Sequence, residues 1–280
     1  MNFLPVSLRR SSPARSALSL FIFPLLFLAV VSKATDQPLH AMESGKPLTQ
    51  QLDEKWTGDF DGIVDRKILR VLVPYSQTFY FIHNGKTQGL AVEWMRGFEK
   101  YLKKDLGAAA KDLTVFVVPT RRDRIIPGLI EGRGDLAIAN LTITDERKAK
   151  IDFSTPFQKR ISELLVTASG LEPLTNVDQL SGREIHVRKT SSHYQSLVKT
   201  NRQFLKRGLP AINIVPTNTL LEDEDLLEMV HAELIPAIIM DSHKAAFWTG
   251  VMSNVMVHPK VAVRTGAEIA WAFRKNSPKL

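Results

Sequence analysis

Residues 140–157 read Asn140-Leu-Thr-Ile-Thr-Asp-Glu-Arg-Lys-Ala-Lys-Ile-Asp-Phe-Ser-Thr-Pro-Phe157. They follow a short apolar run, Asp135 to Ala139, which reads as the end of a buried strand. The hydroxyls of Thr142 and Thr144, and then Arg147, fall just past that strand end. In α/β sheets ligands lie outside the carboxyl ends of strands, at topological switch points. Arginine is also the side chain that grips a carboxylate with two parallel hydrogen bonds. The stretch therefore predicts half of a binding site for a small anionic or zwitterionic molecule. Each residue also has a plainer use: Arg147 lies within the charged run Asp145 to Lys150, and Thr144 is suited to capping the turn that carries it.

On either side of this stretch the pattern is that of alternating strands and helices. A strand is expected over Ile68 to Val73, and a hairpin turning at Asn84-Gly85 follows it. Helical spacing then runs from Leu90 to Leu106 (Leu90, Trp94, Phe98, Tyr101, Leu102) and stops at Gly107. A strand over Leu113 to Val118, a short helix over Ile125 to Ile130 and a strand over Asp135 to Leu141 complete a parallel α/β series. After Pro156 an extended segment, Ile161 to Thr167, leads to a second series. Its strands are expected at Glu184 to Arg188, Ile212 to Val215 and Ala237 to Met240. Its helices are expected at Tyr194 to Lys206, Asp223 to His231 and Ser242 to Trp248. Two further strands, Asn254 to Val257 and Ile269 to Phe273, are expected near the end. The acidic run Glu222 to Asp225 opens a helix, where it complements the helix dipole.

The beginning of the chain has another character. Arg9, Arg10 and Arg15 precede an uncharged, mostly apolar run, Ala17 to Val31, and Ser32-Lys33-Ala34 offers small residues for cleavage. That is the pattern of a cleavable secretory signal peptide. The run contains Pro24 and falls short of the roughly 20 apolar residues that a spanning helix needs. Thr35 to Asp65 is polar and without sustained period, and reads as a leader. Residues 1–34 carry four cations and no acid, so the formal net charge of +8 falls to +4 without them. So modest a balance gives no footing for a nucleic-acid partner. The chain has no cysteine, hence neither a disulfide framework nor a lipid-modified cysteine.

The combination of Gly89-Leu90, Ile126-Pro127-Gly128-Leu129, Gly134-Asp135-Leu136, Thr142-Ile143-Thr144-Asp145-Glu146-Arg147 and Asp152-Phe153-Ser154-Thr155-Pro156-Phe157 resembles the family 3 periplasmic solute-binding proteins. The likeness runs from about Lys67 to Leu280. Within that family it is similar to the non-catalytic module of the membrane-bound lytic transglycosylases of the F type. The resemblance implies a two-lobed type II periplasmic fold of class α/β, with parallel-rich sheets, flanking helices and a short C-terminal end. The implied lobes are residues 66–160 with 258–280, and residues 161–257. It also implies that Arg147 binds a ligand carboxylate with help from Asn140 and Thr142, and that Asp241 takes a ligand ammonium. Arg188, Ser191 and Ser192 then belong to the second-lobe loop facing the carboxylate, and Tyr75 to the first-lobe loop packing on the ligand. Asp241 is equally placed to cap the helix that begins at Ser242.

Two features depart from the family pattern. The loop Lys189-Thr190-Ser191-Ser192-His193 lacks the glycines common there, and Arg121 and Arg122 stand where simple amino-acid binders often carry apolar or aromatic groups. The first disfavours close backbone approach to a ligand; the second favours a larger or more acidic ligand, such as a peptidoglycan fragment. The partners implied are a small-molecule ligand and an ABC transporter or a cell-wall enzyme, in the periplasm or at the outer membrane's periphery. An alternative is a regulatory module separated from a transglycosylase catalytic domain, or a shortened relative that no longer binds. No cofactor or metal is expected, since the seven histidines form no His-x-x-x-His pair. Catalysis is not expected either. The only Glu-Ser pair, Glu43-Ser44, lies in the polar leader, and no phosphate-binding glycine loop or Gly-x-Ser-x-Gly elbow is present.

Overall fold

The structure is a computed structural model that describes residues 46–280. The expected signal peptide and the start of the polar leader lie outside the described residues. Helices α1 (Leu48–Asp53) and α2 (Phe60–Asp65) precede strand β1 (Ile68–Val73) and the hairpin β2 (Phe81–His83) and β3 (Lys86–Gln88). Next come α3 (Leu90–Leu106), β4 (Thr114–Pro119), α4 (Ile125–Ile130), β5 (Leu136–Thr142), α5 (Asp145–Lys148), β6 (Ile151–Phe153) and β7 (Gln158–Thr167). The chain continues through β8 (Glu184–Val187), α6 (Ser192–Lys206), β9 (Asn213–Pro216), α7 (Asp223–His231), β10 (Ala237–Asp241), α8 (Ser242–Trp248) and β11 (Met256–Arg274).

All strands but the hairpin form one sheet of order β4-β1-β5-β11-β7-β10-β8-β9, with β6 paired to β11. β4, β1 and β5 are mutually parallel, as are β10, β8 and β9. Between these two parallel triplets lie β7 and β11, antiparallel to each other and to their outer neighbours. Their length lets one pair of strands belong to both halves.

Alternation along each parallel strand assigns the cores. Leu69, Val71 and Val73 of β1 face α3, whereas Leu72 faces α4. Ala237 and Ile239 of β10 pack with α6, and Ile238 and Met240 with α7 and α8. The hairpin turns on Asn84 and Gly85, both with positive φ, as a tight two-residue turn demands. Gly89 opens α3 at φ 118°, where a Cβ would stand 2.3 Å from the Phe79 carbonyl oxygen. Only glycine lets the helix begin this close to the loop after β1.

Two expectations are corrected. The polar stretch up to Asp65 is no leader over its described part: α1 and α2 fold there, and Ile63 is fully buried. Its fixing comes from distant partners, since the Arg70 guanidinium donates to the Glu54 carbonyl at 2.5 Å and Trp56 N to the Gly132 carbonyl at 2.8 Å. The two separate strands expected near the end are one, β11. Pro259 and Gly266 break the alternation, and register shifts between His258 and Ile269 absorb them while pairing with β7 continues. Among the described residues no helix is long and apolar enough to cross a membrane.

Candidate functional site

The carboxyl ends of β4, β5, β8 and β10 converge, and the residues there are mostly charged and buried. Strand β5 carries two more residues than β11 between Ala137 and Leu141, and within that bulge Asn140 takes φ 50°. Asparagine is among the few non-glycine residues that accept this conformation. The bulge turns its amide toward the other half: Asn140 Nδ2 donates to Asp241 Oδ2 at 3.0 Å, and His243 Nε2 lies 3.2 Å from Asn140 Oδ1.

Arg147 sits in the one-turn helix α5, whose N-cap Thr144 accepts the Arg147 backbone N–H at 3.3 Å. Its guanidinium is buried and donates to the Thr142 carbonyl at 2.8 Å and to the Thr190 carbonyl at 3.5 Å. Among the described residues it has no carboxylate within ion-pair distance. Burial, joined by repulsion from Arg122, brings its pKa down to about 10, against the attraction of Asp241 and Glu163. It remains a cation at neutral pH.

Asp241 stands at the N-cap of α8, yet its side chain makes no cap bond. Instead its oxygens accept from Asn140 and from His193 Nε2, 3.2 Å away. Burial pushes the carboxyl up, but the hydrogen bond and charge of His193 outweigh it, and the pKa is lowered. The same pair, with Glu163 and Asp223, outweighs burial at His193 and raises the imidazole.

The remaining expected residues divide. Ser192 Oγ lies 3.2 Å from Thr142 Oγ1, joining the two halves. Ser191 caps α6, accepting from Tyr194 N, and donates to the Arg188 carbonyl at 2.7 Å. Arg188 is ion-paired with Asp223 and donates to the Leu221 carbonyl at 3.2 Å. A cavity of 900 Å³ brings together Arg122, Asn140, Arg147, Arg188, Ser191 and Asp241. Tyr75 is not part of it; the ring is 60% exposed and lines a smaller cavity of 300 Å³ with Arg121 and Leu220. Asn140 also borders a second cavity, of 1140 Å³, walled by Phe79, Trp94, Phe247 and Trp248.

Several buried contacts escaped the sequence reading of the site. Arg122 Nε reaches Glu222 at 2.6 Å and its Nη1 donates to the Ala139 carbonyl at 2.7 Å. Lys244 Nζ donates to Asp223 at 2.7 Å and lies 3.9 Å from Glu224. Glu222 to Glu224 thus do more than complement a helix dipole. Their density at one helix start was the available signal. Glu163, in β7 opposite Asp241, is fully buried with Arg264 Nε 3.4 Å away. Glu163, His193 and Asp241 each place a possible metal-ligand atom within 4.8 Å of the others. Asp241 and His193 are engaged with one another, and Arg264 adds a cation beside Glu163, so this set forms an internal ion triad.

The family described as bacterial extracellular solute-binding proteins, family 3, matches residues 69–280. Among curated relatives, membrane-bound lytic murein transglycosylase F of Methylobacillus flagellatus is 26% identical over 198 residues, covering 71% of this chain and 39% of that one. The L-cystine-binding protein TcyJ of Escherichia coli K12 is 32% identical over 120 residues, 43% of this chain and 41% of that one. The chain spans about two-fifths of the length of these relatives. Among solved structures, holo ArgBP from T. maritima superposes with a TM-score of 0.62 at 21% identity, covering 78% of this chain and 88% of that one. The arginine-bound AbpA of Streptococcus pneumoniae gives 0.60 at 20%, covering 79% and 86%. At these identities the structural likeness establishes the type II periplasmic fold.

Proposed function

The chain belongs to the bacterial extracellular solute-binding proteins of family 3, and we propose that it binds a small carboxylate-bearing solute, an amino acid or a peptidoglycan-derived peptide, between its two halves. The observation that carries this reading is Arg147, a buried guanidinium bonded to two backbone carbonyls and, among the described residues, with no carboxylate within ion-pair distance. A cation stripped of water gains most from an anion supplied in a low-dielectric site. Asn140 and Thr142 flank it, Ser191 and Ser192 close it from the second half, and Asp241 and Arg188 form the opposite wall. Arginine and cystine in the names of similar proteins support an amino-acid-like ligand.

On this reading the protein binds and does not catalyse. It is exported by residues 1–34 to the periplasm, and its lobes are residues 66–160 with 258–280 and residues 161–257. It hands its solute to an ABC transporter. A second reading, a sensing module associated with a cell-wall enzyme, is favoured by the match of 71% of this chain to 39% of a lytic transglycosylase. Calorimetric titration with amino acids and muropeptides tests the proposal. Arg147→Ala is expected to lose about 2–5 kcal/mol of affinity, as when one member of a buried charge pair is truncated. Equal affinity of the two proteins would refute the assignment.

A further inference from the structure

Among the described residues, the buried charges around Arg147 reach partners of opposite sign within ion-pair distance, with one exception. Glu222 is held by Arg122, Asp223 by Arg188 and Lys244, Glu224 by Lys244, Glu163 by Arg264 and Asp241 by His193. Arg147 is left over. Both oxygens of Asp241 are already engaged, Oδ1 with His193 Nε2 at 3.2 Å and Oδ2 with Asn140 Nδ2 at 3.0 Å. His193 and Asn140 are themselves buried, so these bonds form away from competing water.

We infer that His193 stands in the place of a ligand's ammonium at Asp241, so that the cleft selects carboxylates whose α-amine is acylated. This rests on the reading that Arg147 receives the ligand carboxylate. A free amino acid is a zwitterion. Its carboxylate would satisfy Arg147, but its ammonium would enter a site whose anion is already neutralised. It would then either add a cation beside Arg147, Arg122 and Arg188 or expel His193 from Asp241. Expulsion breaks a buried charged hydrogen bond and leaves the imidazole facing Glu163 alone. An acylated amine brings no charge: such a ligand is a monoanion and cancels the single excess cation. Its amide offers one N–H and one carbonyl, groups that an Asn140 amide can meet in kind. Beyond Asn140 lies the cavity walled by Phe79, Trp94 and Trp248, which suits an apolar acyl or preceding residue. The chemical class is an N-acylated α-amino acid, whether free or as the carboxyl-terminal residue of a peptide. His193 is its specificity-determining residue.

Isothermal titration calorimetry of the purified chain at pH 7 decides this, with three matched probes for each side chain: the free L-amino acid, its N-acetyl form, and the N-acetyl-L-alanyl dipeptide ending in it, which also has no ammonium. For the best-bound side chain, an acylated probe is expected to bind at least tenfold more tightly than the free amino acid. The better of the two acylated probes identifies the source. In H193Q a donor remains but the cation is gone, so Asp241 again calls for an ammonium. The ratio is expected to move at least tenfold toward the free amino acid, a change that general loosening of the fold would not produce. Free amino acids binding as tightly as acylated probes in the unaltered chain overturn the inference, even if H193Q fails to fold. So does an unchanged ratio in a folded H193Q. No binding by any probe overturns the reading of Arg147 itself, and the inference with it.

Discussion

Two buried charge clusters lie at opposite ends of the strands of the first half, and their bookkeeping differs. At the amino end, Asp135 is fully buried and meets Arg66, Arg70 and the more distant Arg274. Arg70, equally buried, also donates to the carbonyls of Glu54 at 2.5 Å and Gly132 at 2.8 Å. Every partner there is internal, and the cluster pins α1 and the loop before α2 to the sheet. At the carboxyl end the pairs Arg122–Glu222, Arg188–Asp223 and His193–Asp241 also close on themselves, but Arg147 does not. A cluster in which every arginine reaches a carboxylate of the chain is architecture. A cluster with one unanswered buried cation has a place reserved for a molecule from outside, and the fold bears the desolvation cost of keeping it.

Substitution at the closed cluster should bring the largest loss. Asp135→Asn removes the one anion shared by three arginines, and breaking such a buried set costs about 3–5 kcal/mol. Urea denaturation should show it, with α1 and α2 detaching first by hydrogen exchange. If the midpoint stays within error, the cluster is not what holds the amino-terminal segment. The contrasting change is Arg147→Met, which replaces an unpaired buried cation with an apolar chain of similar length. Its denaturation midpoint should stay unchanged or rise, while solute affinity falls by about 2–5 kcal/mol. A protein that loses stability here as it does at Asp135 would erase the distinction between the clusters.

The unequal legibility of the two clusters has a physical basis. The helices Leu90–Leu106, Ile125–Ile130, Asp223–His231 and Ser242–Trp248 were readable because their apolar period and stops are local. Arg147 and Thr142 were readable for the same reason, being five residues apart in one motif after one strand. Arg122–Glu222 and His193–Asp241 join residues 100 and 48 positions apart, and no local pattern marks such pairs. Arg70 looks like an exposed charge within a strand and is fully buried, because the segment bearing Glu54 and Trp56 folds over it. The continuity of β11 between its two expected pieces escaped because its course past Pro259 and Gly266 is set by the partner strand β7 and not by its own alternation.

Proton linkage separates the clusters further. His193 is raised by Asp241 and its neighbours, so its contribution is fully present below about pH 6.5, the unfolded value, and is lost as pH rises through the folded one. Asp241 and Asp223 are lowered, so theirs is present above about pH 4 and is lost as pH falls through their folded values. The unaltered chain should therefore exceed His193→Gln in stability most between about pH 4 and 6.5, by about 1.5–3 kcal/mol for a charged buried hydrogen bond. The difference should shrink on the alkaline side. Melting curves of both proteins from pH 4 to 9 measure it, and a constant difference would mean that the imidazole carries no charge at Asp241.

The smallest effect expected comes from the support of Arg147 and not from the residue itself. Thr144 accepts the Arg147 backbone N–H at the start of a helix only four residues long, so no further turn holds that backbone in place. Losing an N-cap hydroxyl costs about 1 kcal/mol. Thr144→Ala should lower stability by that amount and weaken solute binding severalfold, because the guanidinium then leaves a backbone no longer fixed against the Thr142 carbonyl. Thr144→Ser, which keeps the oxygen, should restore both. If alanine and serine behave alike, the position of Arg147 is fixed by its own bonds to the Thr142 and Thr190 carbonyls, and the cap is incidental to the cleft.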